Sequence, residues 1–327
     1  MTKNVERKIL SLSDIDLTDD RFKITEPVLT DSFKASVRDV GILQPPAVVR
    51  RGKRWVLVSG WKRILACREL SVMFVPVCVL DAPGDIPAFL WAVGENLAVR
   101  ELSILEKAKV LARLRKFGLP APEILEKMMP RLGIPSRKTY LELYLAIDRL
   151  SPEAKHMIIA KNLPIAVVQM LSGFSQRDLT TLLPILRPLG QNKQRDFLED
   201  LSEIARLRKI SPRRILGNPE IAAILSNERW PAVQKSERVR AVVKRIRHPR
   251  LSAWETEFGT ALKKLGWPKD IGLEPRPFFE DDRMSVTFSF KNPDEFRRRV
   301  DRLHNLAADD QIRILWTHEK KPRTPRV

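Results

Sequence analysis

Apolar residues recur along this chain with two different periods, and the switches between them mark its parts. Residues 31–41 have helical spacing. Residues 47–50 and 55–59 are short apolar runs joined by Arg51-Gly52-Lys53-Arg54, a pattern that predicts two strands and a basic turn. Gly60 breaks the strand pattern, and residues 61–70 return to the helical period, with Ile64, Leu65, Cys67 and Leu70 able to share an inward face. Residues 72–80 are β-branched and apolar enough for a buried strand interrupted by Pro76. Residues 1–103 therefore read as a small α/β domain.

From there the pattern is helical, cut by Pro and Gly into stretches at 104–117, 122–132, 136–150, 152–161, 164–171 and 176–186. Residues 104–203 are thus expected to form an all-helical domain, followed at 204–251 by short helical pieces punctuated by Pro212, Pro219, Pro231 and Pro249. An amphipathic helix over 252–265, a polar turn at 280–283, an alternating strand over 284–290, a helix over 293–306 and a strand over 312–316 make residues 252–318 a small α/β domain. Residues 319–327 read as a disordered basic tail. Phe278, Phe279, Phe288 and Phe290, with Trp254, Phe258 and Trp267, suit a core or a dimer interface better than a base-stacking surface.

Composition narrows the function classes. The 327 residues carry a net charge of +19, which makes a polyanion a natural partner because each neutralised phosphate releases counterions. Residues 204–251 hold thirteen Lys or Arg against three Glu, so that zone reads as a basic helical linker, either solvated or in nonspecific contact with phosphate. No apolar run is long enough for a membrane helix, and residues 1–10 lack a signal-peptide pattern, so a cytoplasmic, nucleoid-associated protein without a membrane partner is expected. Cys67 and Cys78, too few for a disulfide scaffold and without zinc spacing, read as reduced, buried thiols.

The chemistry-bearing residues of the first zone come as three phrases. Gly41-Ile42-Leu43-Gln44-Pro45-Pro46 closes the first helix, Ser59-Gly60-Trp61-Lys62-Arg63 opens the second, and Gly94-Glu95-Asn96-Leu97 follows about thirty residues later. A glycine at a strand-to-helix junction lets backbone approach a ligand, and the amides of a helix start favour an anion. Lys62 and Arg63 add positive charge there; the plainer reading is a solvated first helical turn. For Glu95 and Asn96, metal contact and capping of a following helix stand side by side.

In this order and spacing the phrases resemble the N-terminal domain of ParB-type partition proteins, with the similarity extending over roughly residues 8–190. The resemblance implies a ParB/sulfiredoxin-like α/β fold. It also implies a pocket for CTP with magnesium, in which Gln44 and Pro45 lie near the nucleoside, Gly60, Lys62 and Arg63 near the phosphates, and Glu95 and Asn96 near metal and phosphate. The chain departs from the family's pattern in several places: Trp61 stands for an acidic residue, Lys62 for the first arginine, and Ala98-Val99 for Gln-Arg, with Arg100 displaced by one position. CTP hydrolysis is the enzyme activity compatible with the resemblance.

Residues 122–136 read as a helix, a tight turn at Gly133 and a second helix capped by Ser136. Ser136, Arg137, Lys138 and Thr139 at its exposed start offer donors to base edges and phosphates, while Leu141, Tyr144, Leu145 and Ile147 form the packed side. Pro130 should kink or shorten the first helix. Standing directly behind the ParB-like phrases, the pair reads as a DNA-binding helix-turn-helix, whereas alone it would read as an ordinary helical hairpin.

The whole is α+β: an α/β N-terminal domain, a helical DNA-binding domain and an α/β C-terminal domain. The resemblance implies double-stranded DNA, a homodimer and a partition ATPase as partners in chromosome or plasmid partition, with nucleotide closing a clamp on DNA. The main alternative is a transcriptional regulator whose ParB-like domain binds no nucleotide. Sulfiredoxin chemistry needs a cysteine where Trp61 stands. A nuclease needs clustered carboxylates or a histidine pair, and His156, His248, His304 and His318 are scattered outside the first domain.

Overall fold

The computed structural model describes residues 5–275 and 283–316. The expected tail, Phe278 and Phe279, and most of the polar turn at 280–283 lie outside the described residues. The fold is α+β, and the chain divides between Gln176 and Arg177 into two compact units.

The first unit is built on a five-stranded mixed sheet. Its strands are β1 (Val5–Ser11), β2 (Ile15–Asp16), β3 (Ala47–Arg51), β4 (Arg54–Leu57) and β5 (Phe74–Leu80), in the order β1-β5-β3-β4-β2. The expected hairpin is there, with Val49 opposite Val56 and Arg51 opposite Arg54, and Gly52 takes a positive φ of 60° in its turn. β1 and β2 carry no clear alternation and were not legible. β1 is fixed by antiparallel pairing to β5, Val5 opposite Leu80 through Ser11 opposite Phe74.

Pro76 does not interrupt β5. The Cys78 N–H donates to the Pro46 carbonyl at 2.8 Å, so the nitrogen two residues earlier faces the same side, ahead of the point where β3 pairing begins at Ala47. The missing donor falls where no ladder bond is needed.

Three helices flank the sheet: α1 (Asp31–Val40), α2 (Trp61–Glu69) and α3 (Asp85–Val99). Thr30 caps α1, its hydroxyl accepting from the Phe33 N–H, and Gly41 ends it at φ 78°. α2 buries Ile64, Ala66 and Cys67 rather than the fuller set expected, because Leu65 and Leu70 remain half-exposed. Ile64 and Cys67 join Ile15, Val48, Leu57, Val75 and Val77 in one core. Both thiols are free; Cys67 is buried, which pushes its thiol pKa up, and Cys78 is half-buried.

The helical part of this unit begins with α4 (Ile104–Lys116). Its capping box pairs the Ser103 hydroxyl with the Glu106 N–H and the Glu106 carboxylate with the Ser103 N–H. α5 (Ala121–Glu123) continues through a π-wound turn at Ile124–Met128 and a 3-10 turn at Pro130–Leu132. Pro130 explains the change of winding. It has no N–H for the Glu126 carbonyl, and the Met129 N–H bonds instead to Ile124, five residues back, at 2.9 Å. Then come α6 (Lys138–Asp148), α7 (Pro152–Ala160) and α8 (Ile165–Ser172).

The second unit takes α9 (Gln176–Leu186), α10 (Gln191–Arg208), α11 (Pro212–Leu216), α12 (Pro219–Ser226), α13 (Ala232–Arg247) and α14 (Pro249–Lys264). The compositional boundaries at 203/204 and 251/252 fall inside α10 and α14. The basic zone packs: Ile215, Leu216, Ile221, Val239, Val242 and Val243 are buried, and α13 lies against α10. Many of its bases sit in ion pairs, Arg245 with Glu220, Arg247 with Glu203, Arg240 with Glu237, and Lys244 with Glu255.

The rest of this unit is a hairpin of β6 (Gly272–Pro275) and β7 (Met284–Thr287), α15 (Pro293–Ala308) and a 3-10 segment, Asp310–Trp316. The strand expected over 312–316 is therefore corrected. Asp309 turns the chain, its carbonyl accepting from the Ile312 N–H at 3.0 Å and its carboxylate from the Gln311 N–H at 2.8 Å. The strand expected over 284–290 ends at Thr287, and Phe288, Phe290 and Phe296 gather into an aromatic cluster with centroids 4.9 to 6.3 Å apart.

Phe197 is fully buried on α10. Its replacement by alanine should cost about 3–5 kcal/mol of stability. Urea unfolding, read with amide exchange on α13, checks this; unchanged protection of Val239 and Val242 would contradict the packing.

Candidate functional site: an anion-binding cleft and a helix-turn-helix

The β4 strand delivers the chain to Gly60 at φ 85°, where α2 begins. A side chain is excluded here, since a Cβ on residue 60 would lie 2.6 Å from the Pro46 Cβ and 2.9 Å from its Cα. The Gly60 carbonyl accepts from the Arg63 and Ile64 amides at 2.9 and 3.1 Å. The amides of Trp61 and Lys62 are left outside the ladder of α2, facing a position suited to an anion.

Around this junction lies a cleft of about 620 Å³. One wall is Val58, Ser59, Gly60, Trp61, Lys62 and Arg63; another is Glu95, Asn96 and Val99 from the end of α3; the third is the segment from Phe22 to Val28, with Phe33. Arg63 ties the phrases together. Its Nη2 donates to the Gln44 Oε1 at 2.7 Å, and its Nη1 lies 3.6 Å from the Glu95 Oε1. The Lys62 ammonium stands over the Phe33 ring, 4.3 Å from its centroid, and Lys23 over Trp61 at 5.3 Å.

Five of the seven residues expected at a nucleotide, Gly60, Lys62, Arg63, Glu95 and Asn96, line the cleft. Gln44 reaches it through Arg63, and Pro45 is not in its lining, its neighbour Pro46 backing Gly60 instead. The reading of Asn96 as a cap is corrected. Glu95 and Asn96 lie within the last turns of α3, the Asn96 Nδ2 donates to the Ala92 carbonyl at 2.9 Å, and Ser103 caps the next helix.

The cleft's far rim was not legible in the sequence. Thr25 donates to the Glu106 Oε1 at 2.5 Å, and Arg100 donates to Glu106 at 2.6 and 2.8 Å and to Thr25 at 2.8 Å. Burial acts to raise the Glu106 pKa, but hydrogen bonds from Arg100, Thr25 and Ser103 outweigh it and hold the carboxyl at about 2. The signal available was Arg100 itself, a basic residue shortly after Glu95-Asn96.

The helix, turn and helix expected to read DNA occupy residues 121–148. Gly133 makes the turn at φ 66°, and Ile124, Met128, Met129, Leu132 and Ile134 are buried beneath it. α6 buries Leu141, Tyr144 and Ile147 and packs against α4. Ser136 is not the cap: Arg137 takes that position, with β-region angles and no side-chain cap bond, and Ser136 precedes it. Ser136, Arg137, Lys138 and Thr139 are all exposed at the start of α6, free of the cleft lining.

The chain thus sets a cleft lined by basic side chains ahead of a helical pair with an exposed polar start. No family model matches the chain. Among curated proteins it is 33% identical over 97 residues to the "Probable chromosome 1-partitioning protein ParB" of Deinococcus radiodurans, 30% of this chain and 33% of that one. It is 28% identical over 163 residues to the "Probable chromosome-partitioning protein ParB" of Vibrio cholerae, 48% of this chain and 53% of that one. The "Probable plasmid-partitioning protein ParB" of Deinococcus radiodurans matches at 25% over 211 residues, 60% and 71%. The chain thus spans a third to about half the length of the first two relatives.

Two solved structures of C-terminally truncated ParB from Caulobacter crescentus are similar at low global scores. The one with the centromeric parS site has TM-score 0.35 and 15% identity, covering 59% of this chain and 98% of that one. The one with CTP-gamma-S has TM-score 0.26 and 16% identity, covering 54% and 98%. On the sequence matches, the chain is similar to ParB-type partition proteins at low identity.

Glu106→Gln should destabilise the protein at neutral pH. With a folded-state pKa near 2 against an ordinary 4.5, the carboxylate's contribution is present above about pH 4.5 and is lost as pH falls through 2. Thermal unfolding against pH should show the two proteins converging across that window; a constant offset would contradict it.

Proposed function

We propose that this protein is a DNA-binding partition protein of the ParB type, in which a nucleotide in the cleft, CTP in the first instance, changes how the protein holds DNA. The observation that carries the reading is the convergence at one glycine junction of the Trp61 and Lys62 amides, the Lys62 and Arg63 cations and the Glu95 carboxylate. These are the groups that a nucleoside triphosphate needs: amides and cations for phosphate, and an acid for a donor or a metal. The relatives named above support the partition reading, and the choice of CTP follows the resemblance of the three phrases to the ParB N-terminal domain.

Magnesium fits this donor set in one way. Glu95 supplies a carboxylate with one oxygen free of hydrogen bonds, and Asn96 an amide oxygen. Magnesium held through a single carboxylate completes its shell with water and the substrate's phosphates, so these residues would hold it together with the nucleotide. When bound, the ion would neutralise phosphate charge. The chain's own groups bind and orient: Gly60 admits the phosphates, Arg63 spans Gln44 and Glu95, and Lys62 adds charge beside Phe33.

DNA would be read by the start of α6, where Ser136, Arg137, Lys138 and Thr139 are exposed on a helix whose other face is anchored. A homodimer, a closing clamp and a partition ATPase complete the proposal by likeness to the relatives. The regulator reading differs at one point, the absence of nucleotide binding.

Calorimetric titration of CTP, ATP and GTP with magnesium into wild type and Arg63→Ala tests the cleft. Selective CTP binding lost in the variant is expected; no binding of any nucleotide to wild type would favour the regulator. For DNA, Arg137→Ala with Lys138→Ala should weaken site binding and lower the salt slope by about 2. Fluorescence anisotropy across a salt series reads it, and an unchanged slope would remove α6 from the interface.

A further inference from the structure

The thirteen bases between residues 204 and 251 differ in their surroundings. Arg240, Lys244, Arg245 and Arg247 have acidic partners. The Lys235 ammonium donates to the Leu225 carbonyl at 2.9 Å, and the Arg238 guanidinium lies over the Trp230 ring, 3.9 Å from its centroid. At the turn from α10 to α11 such partners are missing. Arg208, Lys209, Arg213 and Arg214 are all exposed there, and among the described residues none of the four has an acidic partner. No Asp or Glu occurs between Glu203 and Glu220, and both of those are taken, Glu203 by Arg206 and Arg247 and Glu220 by Arg245.

The turn itself is firmly held. Asp178 of α9, only 7% exposed, accepts from the Arg213 N–H at 2.9 Å, the Ser211 hydroxyl accepts from the Arg214 N–H at 3.3 Å, and Ile215 and Leu216 are buried. The Ile210 N–H returns to the Ala205 carbonyl at 3.1 Å and closes α10. That closure sets Lys209 at φ 53°, a position where helices usually carry glycine because a β-carbon is strained there. The helix dipole accounts for Arg206 and Arg208 in the last turn of α10. It accounts neither for a β-carbon at residue 209 nor for two further cations at 213 and 214, which repel the first group. Strain and like charge are thus kept together at one exposed, fixed place, as happens where binding is favoured at the expense of stability.

We infer that the α10–α11 turn is a second DNA contact, in which Lys209, Arg213 and Arg214, with Arg208 beside them, bind the backbone phosphates of a duplex whatever its sequence. Guanidinium forks carried on a fixed backbone suit phosphate oxygens. Residues 208–214 include no Asn, Gln or aromatic side chain, so the turn positions a duplex and leaves the reading of bases to another element. A lipid surface fits less well, since Ile215 and Leu216 turn inward and Leu207 is the large apolar side chain left exposed beside the bases. The inference rests on the DNA-binding reading and adds to it a contact in the second unit, separate from the start of α6.

The full chain is compared as wild type, Lys209→Gly, and a triple variant that combines Lys209→Gln, Arg213→Gln and Arg214→Gln. The protein with Arg137→Ala and Lys138→Ala is run beside them. Fluorescence anisotropy with a duplex of arbitrary sequence is read across a salt series, and melting temperatures are taken without DNA. The triple variant should bind about tenfold more weakly or worse and lower the salt slope by about 3, one for each phosphate contact. Lys209→Gly should lower the slope by about 1 and melt higher than wild type, because it removes the strain together with the contact. A wild-type slope in the triple variant, with the slope still lowered by the α6 substitutions, would overturn the inference and leave the DNA reading intact. So would a triple variant that keeps duplex binding and loses affinity for poly-glutamate, which would make the turn a docking place for an acidic polypeptide. If wild type binds no duplex, the DNA reading itself fails and this inference falls with it.

Discussion

The contact between Gly60 and Pro46 is the constraint on which the first unit turns. A β-carbon at residue 60 cannot fit against Pro46, and the positive φ that the junction requires is open to glycine at little cost. Because the backbone is pressed against the Gln44-Pro45-Pro46 phrase, Arg63, one turn into α2, is within reach of both Gln44 and Glu95. The three sequence phrases are thus one piece of geometry: a glycine that allows close approach, a proline that receives it, and an arginine that spans the result.

The rim opposite is held by a different device. Glu106 serves as the N3 member of a capping box and as acceptor for Arg100 and Thr25, so one carboxylate fixes the start of α4, the end of α3 and the loop from Phe22 to Val28. A charge this well solvated by hydrogen bonds is stable in a half-buried place where an unpaired one would protonate. The cleft therefore has one rim held by charge and another held by the contact of Gly60 with Pro46.

Charge misleads where it is counted without its neighbours. Thirteen bases between residues 204 and 251 suggest a solvated linker, yet the apolar residues among them are buried at helical spacing. Arg245, Arg247, Arg240 and Lys244 have acidic partners nearby, two of which, Glu203 and Glu255, lie outside that stretch. A net charge of +19 describes the chain, and the local field at any surface depends on which bases remain unpaired.

Elements with strong local signals were legible in the sequence. The hairpin at Ala47–Leu57, α1 with its glycine stop, α2 behind Gly60, and the helices from Ile104 to Leu186 follow from periodicity and breakers, because the forces that form them act between near neighbours. The cleft residues were legible as three phrases, though not as one place. The structure decided the rest. β1 exists by its ladder with β5, Pro76 is tolerated by where its nitrogen points, Pro130 rewinds a helix without ending it, and residues 312–316 coil around Asp309 despite an apolar run that suits a strand. It also decided that Asn96 ends α3 instead of capping α4, that Arg137 stands where Ser136 was expected to cap, and that Arg100 closes the rim. For β1 and Pro76 the choice falls to strand partners far along the chain, and for Pro130, Asn96 and residues 312–316 it falls to hydrogen bonds between near neighbours that the apolar pattern does not report.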